Sequence, residues 1–417
     1  MKILFLCHRL PYPPKRGGKI RPFNMIRHLG RNHEVTVATL ARTAGEQAEG
    51  RELERHCHEL HVARIPAYAA WARFALHALT GYPSTFGYFY SPELARTVSR
   101  LLDTKHFDAI LVHCSSMGPY VASHRGCRRI MDFGDADSEK WFEYSRTAPW
   151  PLSLAFRLEG RKVRSYERRL GAQFDACSVN APRERDVLRA YVPTPIHVIP
   201  NGVDLEYFRT RREPSGTYVP HRLIFTGNMS YRPNVDAVGH LVANILPRVR
   251  AEIPDVELHI VGMDPTPAVR KLGDGARVVV TGRVDDVRPY FEDAAVAVVP
   301  LRVARGLQNK VLEAMAMRVP VVASEAAYQG ITAVPGRDLM VAGDPEAFGR
   351  AVVRLLREPA VRERYAAAGR ACVEENHNWS ALLPRLEELV TGPLPLRSAT
   401  ASAGRRSEEH TSELPVT

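Results

Sequence analysis

A short apolar run at residues 3–7 gives way to a Pro- and Gly-rich stretch, Pro11 to Gly18. A helical pattern follows at Phe23, Ile26 and Leu29, and a second apolar run at residues 34–40. Strand, glycine loop, helix, strand is the signature of a parallel α/β unit. The pattern repeats with buried strands expected at 109–112 and 129–132, a helical and strongly basic region over 153–191, and a strand at 196–199 running into the turn Pro200-Asn201-Gly202. After a polar stretch at 209–220 the alternation restarts. Strands are expected at 222–226, 256–261, 276–281, 295–299 and 320–323, with helices around 234–251, 285–293, 309–317 and 345–356. This predicts an α/β chain of two doubly wound, Rossmann-like domains, 1–195 and 196–375. A helical stretch at 376–391 is expected to pack back toward the first domain. Residues 392–417, rich in Ser, Thr, Ala and Arg, read as a disordered tail.

The 417 residues, 45% apolar and 25% charged, suffice for two cores and exclude a mostly disordered or collagen-like chain. Lys and Arg number 57 against 46 Asp and Glu, a formal charge of +11, which favours an anionic partner. The six cysteines are scattered without a CxxC pair, as expected in a reducing compartment and unlike a cysteine zinc site. The opening apolar run is too short for a signal sequence, and no run approaches the ~18 apolar residues needed to span a bilayer. A cytoplasmic protein is expected, with membrane contact possible only at the surface.

The stretch RGLQNKVLEAMAMRVP, residues 305–320, carries the most chemistry. Gly306 breaks the loop, and Gln308 and Asn309 are candidate caps for the helix that follows. A helix N-terminus offers free N–H groups and partial positive charge to a phosphate. Lys310 and Glu313, three apart, share one face. A cation there suits a diphosphate, and a carboxylate one turn on can accept hydrogen bonds from ribose hydroxyls. A surface Lys–Glu pair has the same spacing.

The segment VLEAMAMRVPVVAS, residues 311–324, resembles the donor-site motif of family 4 glycosyltransferases, which share the two-domain GT-B fold. IHVIPNGVDLEYF (196–208) resembles the segment opening that family's C-terminal domain. RLPYPPKRGGKIRPFNMIRHL (9–29) resembles its N-terminal glycine loop and first helix. The segments at 258–262 and 278–300 complete a similarity covering about residues 1–390. DFGDADSEKW (132–141) and GLQNK (306–310) are most similar to the sugar transferases associated with PEP-CTERM/exosortase exopolysaccharide loci.

The resemblance implies a retaining glycosyltransferase that needs no metal or other cofactor. Its C-terminal domain would bind a nucleotide-diphosphate sugar, and its N-terminal domain a glycan or lipid-linked acceptor. Glu313 matches the second glutamate of the family's paired motif, implying donor ribose binding. The first would fall at Arg305, a departure that leaves the sugar to other groups near Gly306–Gln308. The loop GNMSYRPN, beginning at Gly227, lacks the family's two cations, leaving Arg232, Arg305 and Lys310 to neutralise the phosphates. Arg283 joins the donor-binding candidates. Lys310 is the expected catalytic cation, and His113, at a strand end where cleft ligands gather, the second catalytic candidate. Gly17 and Gly18 are read as a phosphate or acceptor loop, with Lys15, Arg16, Lys19 and Arg21 around it. Gly202, at the interdomain joint, is expected to have positive φ.

Other patterns are set aside. Asp135-Ala136-Asp137 is read as structural or acceptor-side, not a metal motif. His56, Cys57, His58 and His61 are expected on one exposed helix. The basic, partly apolar stretch 156–169 can lie on an anionic membrane face, at the inner side of the plasma membrane, or pack as a helix with a charged outer side. The rivals are a sugar-nucleotide 2-epimerase of the same fold, a non-catalytic sugar-binding scaffold, and a nucleic-acid binder, the last opposed by dispersed basic residues.

Overall fold

A computed structural model describes residues 1–14, 17–209, 218–304 and 306–393. The readings of Lys15, Arg16, Arg305 and the tail beyond 393 lie outside the described residues. In the first domain the strands are β1 (Lys2–Cys7), β2 (Glu34–Ala41), β3 (Glu59–Arg64), β4 (Ala109–His113), β5 (Arg128–Gly134), β6 (Ala176–Val179) and β7 (Ile196–Val198). They form one parallel sheet in the order β3-β2-β1-β4-β5-β6-β7. In the second domain β8 (Arg222–Thr226), β9 (Glu257–Val261), β10 (Val278–Gly282), β11 (Val296–Val299), β12 (Val321–Ala323) and β13 (Met340–Val341) form a parallel sheet ordered β10-β9-β8-β11-β12-β13.

Strand β1 shows why these runs are continuously apolar. A parallel sheet is covered on both faces, and successive side chains point to opposite faces. Ile3, Phe5 and Cys7 join one core cluster. Leu4 and Leu6 join the other. The second domain has a core of its own around β8, β9 and β11.

Three expectations change. Strand β7 pairs with β6, so the chain leaves the first sheet after Val198 and the boundary at 195/196 falls too early. The region 153–191 is not helical throughout. Helix Leu152–Gly171 and helix Pro182–Arg189 are separated by β6, four buried residues between Asp175 and Asn180. His56 closes a short 3-10 turn and His61 lies on β3, so the histidine cluster shares no helix.

Helix Trp379–Thr391 buries Trp379, Leu383, Leu386, Leu389 and Val390 in a core cluster of the first domain. Glu387 on this helix accepts from the imidazoles of His28 (2.7 Å) and His33 (2.9 Å), at the end of helix Gly17–Leu29 and just beyond it. Among the described residues no helix is long and apolar enough to cross a membrane.

Candidate functional site: a cleft between two sets of strand ends

Parallel strands direct their C-terminal ends, and the loops that follow, to one edge of each sheet. In the second domain that edge is built around helix Asn309–Ala316. Its residues Val311, Leu312, Ala314, Met315 and Ala316 are buried, which leaves Lys310 and Glu313 together on the other side. The Lys310 ammonium donates to Asn234 Oδ1 at 2.6 Å and sits over the Phe225 ring at 4.3 Å. Asn234 Nδ2 donates in turn to the Asn228 carbonyl at 2.9 Å, so one amide ties the lysine to the loop after β8.

Two glycines make this packing feasible. A Cβ on Gly227 would lie 3.1 Å from Lys310 Nζ and 2.7 Å from Asn234 Nδ2. A Cβ on Gly262 would overlap the Gly227 carbonyl oxygen, at 1.7 Å. The loops after β8 and β9 therefore stack through bare backbone, and the lysine amine rests against them. Gly227 is a predicted site residue. Gly262 is not, although it closes the strand segment 258–262 quoted above.

Burial pulls the Lys310 amine down to about 7, against the attraction of Glu313. Burial likewise lifts the Glu313 carboxyl to about 7, against Lys310. A polyanion arriving here would restore the lysine's charge. Gln308 occupies the N-cap position, but its Nε2 donates back to the Gly306 carbonyl (3.3 Å) and the side chain makes no capping hydrogen bond. Asn309 Oδ1 is buried without a hydrogen-bond partner among the described residues. Arg232 begins helix Arg232–His240 and Arg283 follows β10. Both are exposed, and among the described residues neither is hydrogen-bonded to Lys310 or Glu313.

In the first domain the sheet register assembles the site. His113 pairs with Asp132 across β4 and β5, and Asp132 with Ser178 across β5 and β6. Three side chains on one rung then bond in a row. Asp132 accepts from His113 Nδ1 (2.7 Å), from Ser178 Oγ (2.7 Å), and from Arg21 Nε and Nη2 (2.9 and 2.7 Å). Burial alone would raise this carboxyl, but the charge of Arg21 and the hydrogen bonds from His113 and Arg21 hold it well below the usual range. The bond from Nδ1 fixes the ring of His113 and leaves Nε2 for another partner. The His8 ring lies beside it, centroids 5.9 Å apart, with a buried Nδ1 that has no hydrogen-bond partner among the described residues. His8, His113 and Cys114 are the one group of potential metal ligands that converges among the described residues, their ligand atoms within 4.8 Å of one another.

The glycine-loop reading needs correction. Gly17 and Gly18 form the first turn of helix Gly17–Leu29 rather than a preceding loop. Two of the neighbouring cations are also engaged inside the protein. Lys19 pairs with Glu46 at 2.7 Å, and Arg21 is buried on Asp132, the Ile199 carbonyl (2.7 Å) and Asn201 (3.1 Å). Gly202 does not adopt positive φ. Its need is space, since a Cβ would lie 2.8 Å from the Trp379 ring and 2.9 Å from the His377 carbonyl.

The domains meet at Gly306, where φ is +59°. A Cβ there would lie 2.5 Å from Asp135 Oδ1 and 3.2 Å from Asn180 Nδ2 of the first domain. Asn180 donates to Asp135 at 2.6 Å, and burial raises the Asp135 carboxyl. A second contact joins Arg183 to Gln329. The domain contact thus sets Asp135, in the loop after β5, against the Gly306 loop of the domain that carries Lys310 and Glu313.

Comparison with known proteins agrees with this architecture. Residues 16–207 match the family described as Glycosyltransferase Family 4, and residues 220–358 that described as Glycosyl transferases group 1. The phosphatidyl-myo-inositol mannosyltransferase of Mycobacterium leprae is 30% identical over 199 residues, 45% of this chain and about half (51%) of the relative's length. The GDP-mannose-dependent alpha-(1-6)-phosphatidylinositol monomannoside mannosyltransferase of Mycolicibacterium smegmatis is 24% identical across 93% of this chain and 98% of its own. Among solved structures, sucrose-phosphate synthase from Thermosynechococcus elongatus superposes with a TM-score of 0.66 at 19% identity, covering 93% of this chain and 98% of that one. HepE of Anabaena, in complex with UDP and glucose, superposes with a TM-score of 0.65 at 14% identity over the same shares. The chain has the GT-B fold, and each of its two domains matches a glycosyltransferase family model.

Proposed function

We propose that this protein is a retaining glycosyltransferase that moves a sugar from a nucleotide-diphosphate donor to a hydroxyl of a glycan or lipid-linked acceptor. The observation that carries this reading is the placement of Lys310. Its amine is held by Asn234 against the Gly227 backbone, one residue into a helix whose N-terminus faces the cleft. A diphosphate bound there would restore to the lysine the charge that burial takes from it. Glu313 would accept from the ribose hydroxyls, and Asn309 Oδ1 and the backbone at Gly306 are available to the sugar.

In this mechanism the bond from the anomeric carbon to the diphosphate breaks as the acceptor oxygen approaches on the same face. The acceptor proton passes to the departing phosphate oxygen. Lys310 and the helix N-terminus stabilise the charge on that leaving group, and closure of the domains excludes water. His113, fixed by Asp132, would orient the sugar. The mechanism gives no role to a metal ion. The names of the mannosyltransferase relatives support a nucleotide-sugar donor and a lipid acceptor. The likeness of residues 132–141 and 306–310 to PEP-CTERM/exosortase-associated transferases supports exopolysaccharide assembly at the cytoplasmic membrane face.

The test is a panel of UDP-, GDP- and ADP-sugars scored for thermal stabilisation, followed by release of nucleoside diphosphate with and without a glycan acceptor. One donor should stabilise the protein, and release should require the acceptor. Lys310→Ala should keep the fold and lose turnover. Release without any acceptor, with an epimerised free sugar, would point to the epimerase instead. Stabilisation by no nucleotide sugar would overturn the reading.

A further inference from the structure

Helix Leu152–Gly171 has its two acids on the buried side. Glu159 accepts from the backbone N–H groups of Ser84 and Thr85 (3.1 and 2.8 Å) and from the Thr85 hydroxyl (2.8 Å). Glu167 accepts from the Ser138 N–H (3.1 Å) and the Tyr191 hydroxyl (2.8 Å). The helix can then present its arginines outward. Arg157, Arg161, Arg164 and Arg168, with Arg146 of helix Asp137–Thr147, line a groove of about 980 Å³. Its one acidic residue, Glu139, is paired with Arg164.

The rim of this groove is apolar. Trp150 is 82% exposed and Leu154 51%. Helix Ala67–Ala78 packs alongside, tied by Lys162 Nζ to the carbonyls of His77 and Ala78 (3.1 and 3.0 Å) and by Phe74 against Trp141 (6.4 Å). It adds Tyr68, Trp71, Leu76 and, just past its end, Leu79. Of the fourteen large apolar side chains exposed among the described residues, eight fall within 68–79 and 150–158. Exposed apolar groups clustered in this way mark a binding surface, and a groove of five arginines beside them sets its chemistry.

We propose that this face docks on a bilayer containing anionic phospholipid. Lipid phosphates seat in the arginine groove, while Trp150, Leu154, Leu158 and Leu79 enter the headgroup layer. The surface has both parts a charged bilayer requires: cations for the phosphates and aromatic and leucine side chains for the apolar boundary beneath them. Helix Asp137–Thr147 follows β5 and begins two residues after Asp135. One helix thus joins the docking face to the strand ends of the first domain. That a lipid-linked acceptor reaches the site from this face rests on the lipid-linked acceptor reading, whereas the docking itself does not.

The test is flotation of the full chain with vesicles of phosphatidylcholine, with and without phosphatidylglycerol. The chain should float only with phosphatidylglycerol, and raised salt should release it. Arg157→Glu/Arg161→Glu/Arg168→Glu should lower partition at least about tenfold. Trp150→Ser/Leu154→Ser should lower it several-fold while leaving the salt dependence. All five side chains are exposed, so unchanged melting temperatures are expected. Equal flotation with the neutral vesicles, none with the anionic ones, full binding by the arginine variant, or capture of an oligonucleotide in place of vesicles would each overturn the proposal. Because no nucleotide sugar enters the assay, docking can stand when transfer fails, and the reverse.

Discussion

The carboxylate of Asp135 faces the α-carbon of Gly306 across the domain boundary so closely that a Cβ would sit 2.5 Å from Oδ1. Gly306 also holds φ at +59°, a region costing a non-glycine residue roughly 1–2 kcal/mol. Gly306→Ala is therefore expected to hold the domains apart and cut turnover about tenfold or more, since catalysis by positioning is sensitive to small displacements. The contact and the strain can be separated. Adding Asp135→Ala removes the clash, so the double variant should recover part of the turnover lost in Gly306→Ala, relative to Asp135→Ala alone. Strict additivity in the cycle would show that the contact does not matter.

The second prediction concerns proton linkage at Lys310. Its folded value is about 7, while an unfolded chain keeps a lysine near its ordinary ~10.4. Between these values the unfolded state binds a proton that the folded state has lost, so this group makes stability rise with pH. Lys310→Met removes that slope. The variant should be more stable than the parent near pH ~7, and the gap should close toward pH ~10. Urea unfolding at a series of pH values measures this directly. A constant difference across the range would mean that the amine keeps its charge in the fold.

Much of the architecture is visible in the apolar runs, because parallel strands covered on both faces need no polar alternation. Arg222–Thr226 is such a run and becomes β8. Strands β6, four residues, and β13, two residues, are too short to stand out from their charged or helical surroundings. The spacing of Lys310 and Glu313 could be read locally because one helix carries both. The partnership of Arg21 with Asp132 could not. Its residues are 111 positions apart, and Arg21 beside a glycine pair looks like a solvent-facing cation until the sheet order brings β5 next to β4. Gly202 shows a related limit. A glycine's need for space comes from whatever packs on it, here a tryptophan 177 positions away.

The Arg21–Asp132 pair leads to a third prediction. Both side chains are buried, and Asp132 balances the charge of Arg21 while holding His113. Asp132→Asn keeps the shape but leaves a buried guanidinium uncompensated, with an expected loss of roughly 3–5 kcal/mol in unfolding free energy. His113→Ala removes one donor and leaves the ion pair intact, so its stability loss should be much smaller while turnover falls. Because the folded Asp132 carboxyl lies below its unfolded value, its contribution is full above the ordinary carboxylate range and fades as the solution is acidified through the folded value. If the two variants were equally destabilised, the rung would be simple packing with no charge pair at its centre.

Gly202 supplies the last prediction. Its α-carbon lies under the Trp379 ring, the first residue of the helix that returns to the first domain, and beside the His377 carbonyl. His377 Nδ1 donates to the Asn201 carbonyl at 3.1 Å, and its Nε2 accepts from the Thr332 N–H at 3.0 Å, so the second domain is tied to the same point. Gly202→Ala must displace the tryptophan or the backbone, an overpacking cost of about 1–3 kcal/mol. The effect should be local to the joint. Hydrogen exchange should speed up in Trp379–Thr391 and at Thr332, while the amides of β8, β9 and β11 keep their protection. Trp379→Ala in the same background should relieve the clash, so the double variant should lose less than the sum of the two single losses. Uniformly faster exchange in both domains would instead mean that the joint and the two sheets unfold as one unit.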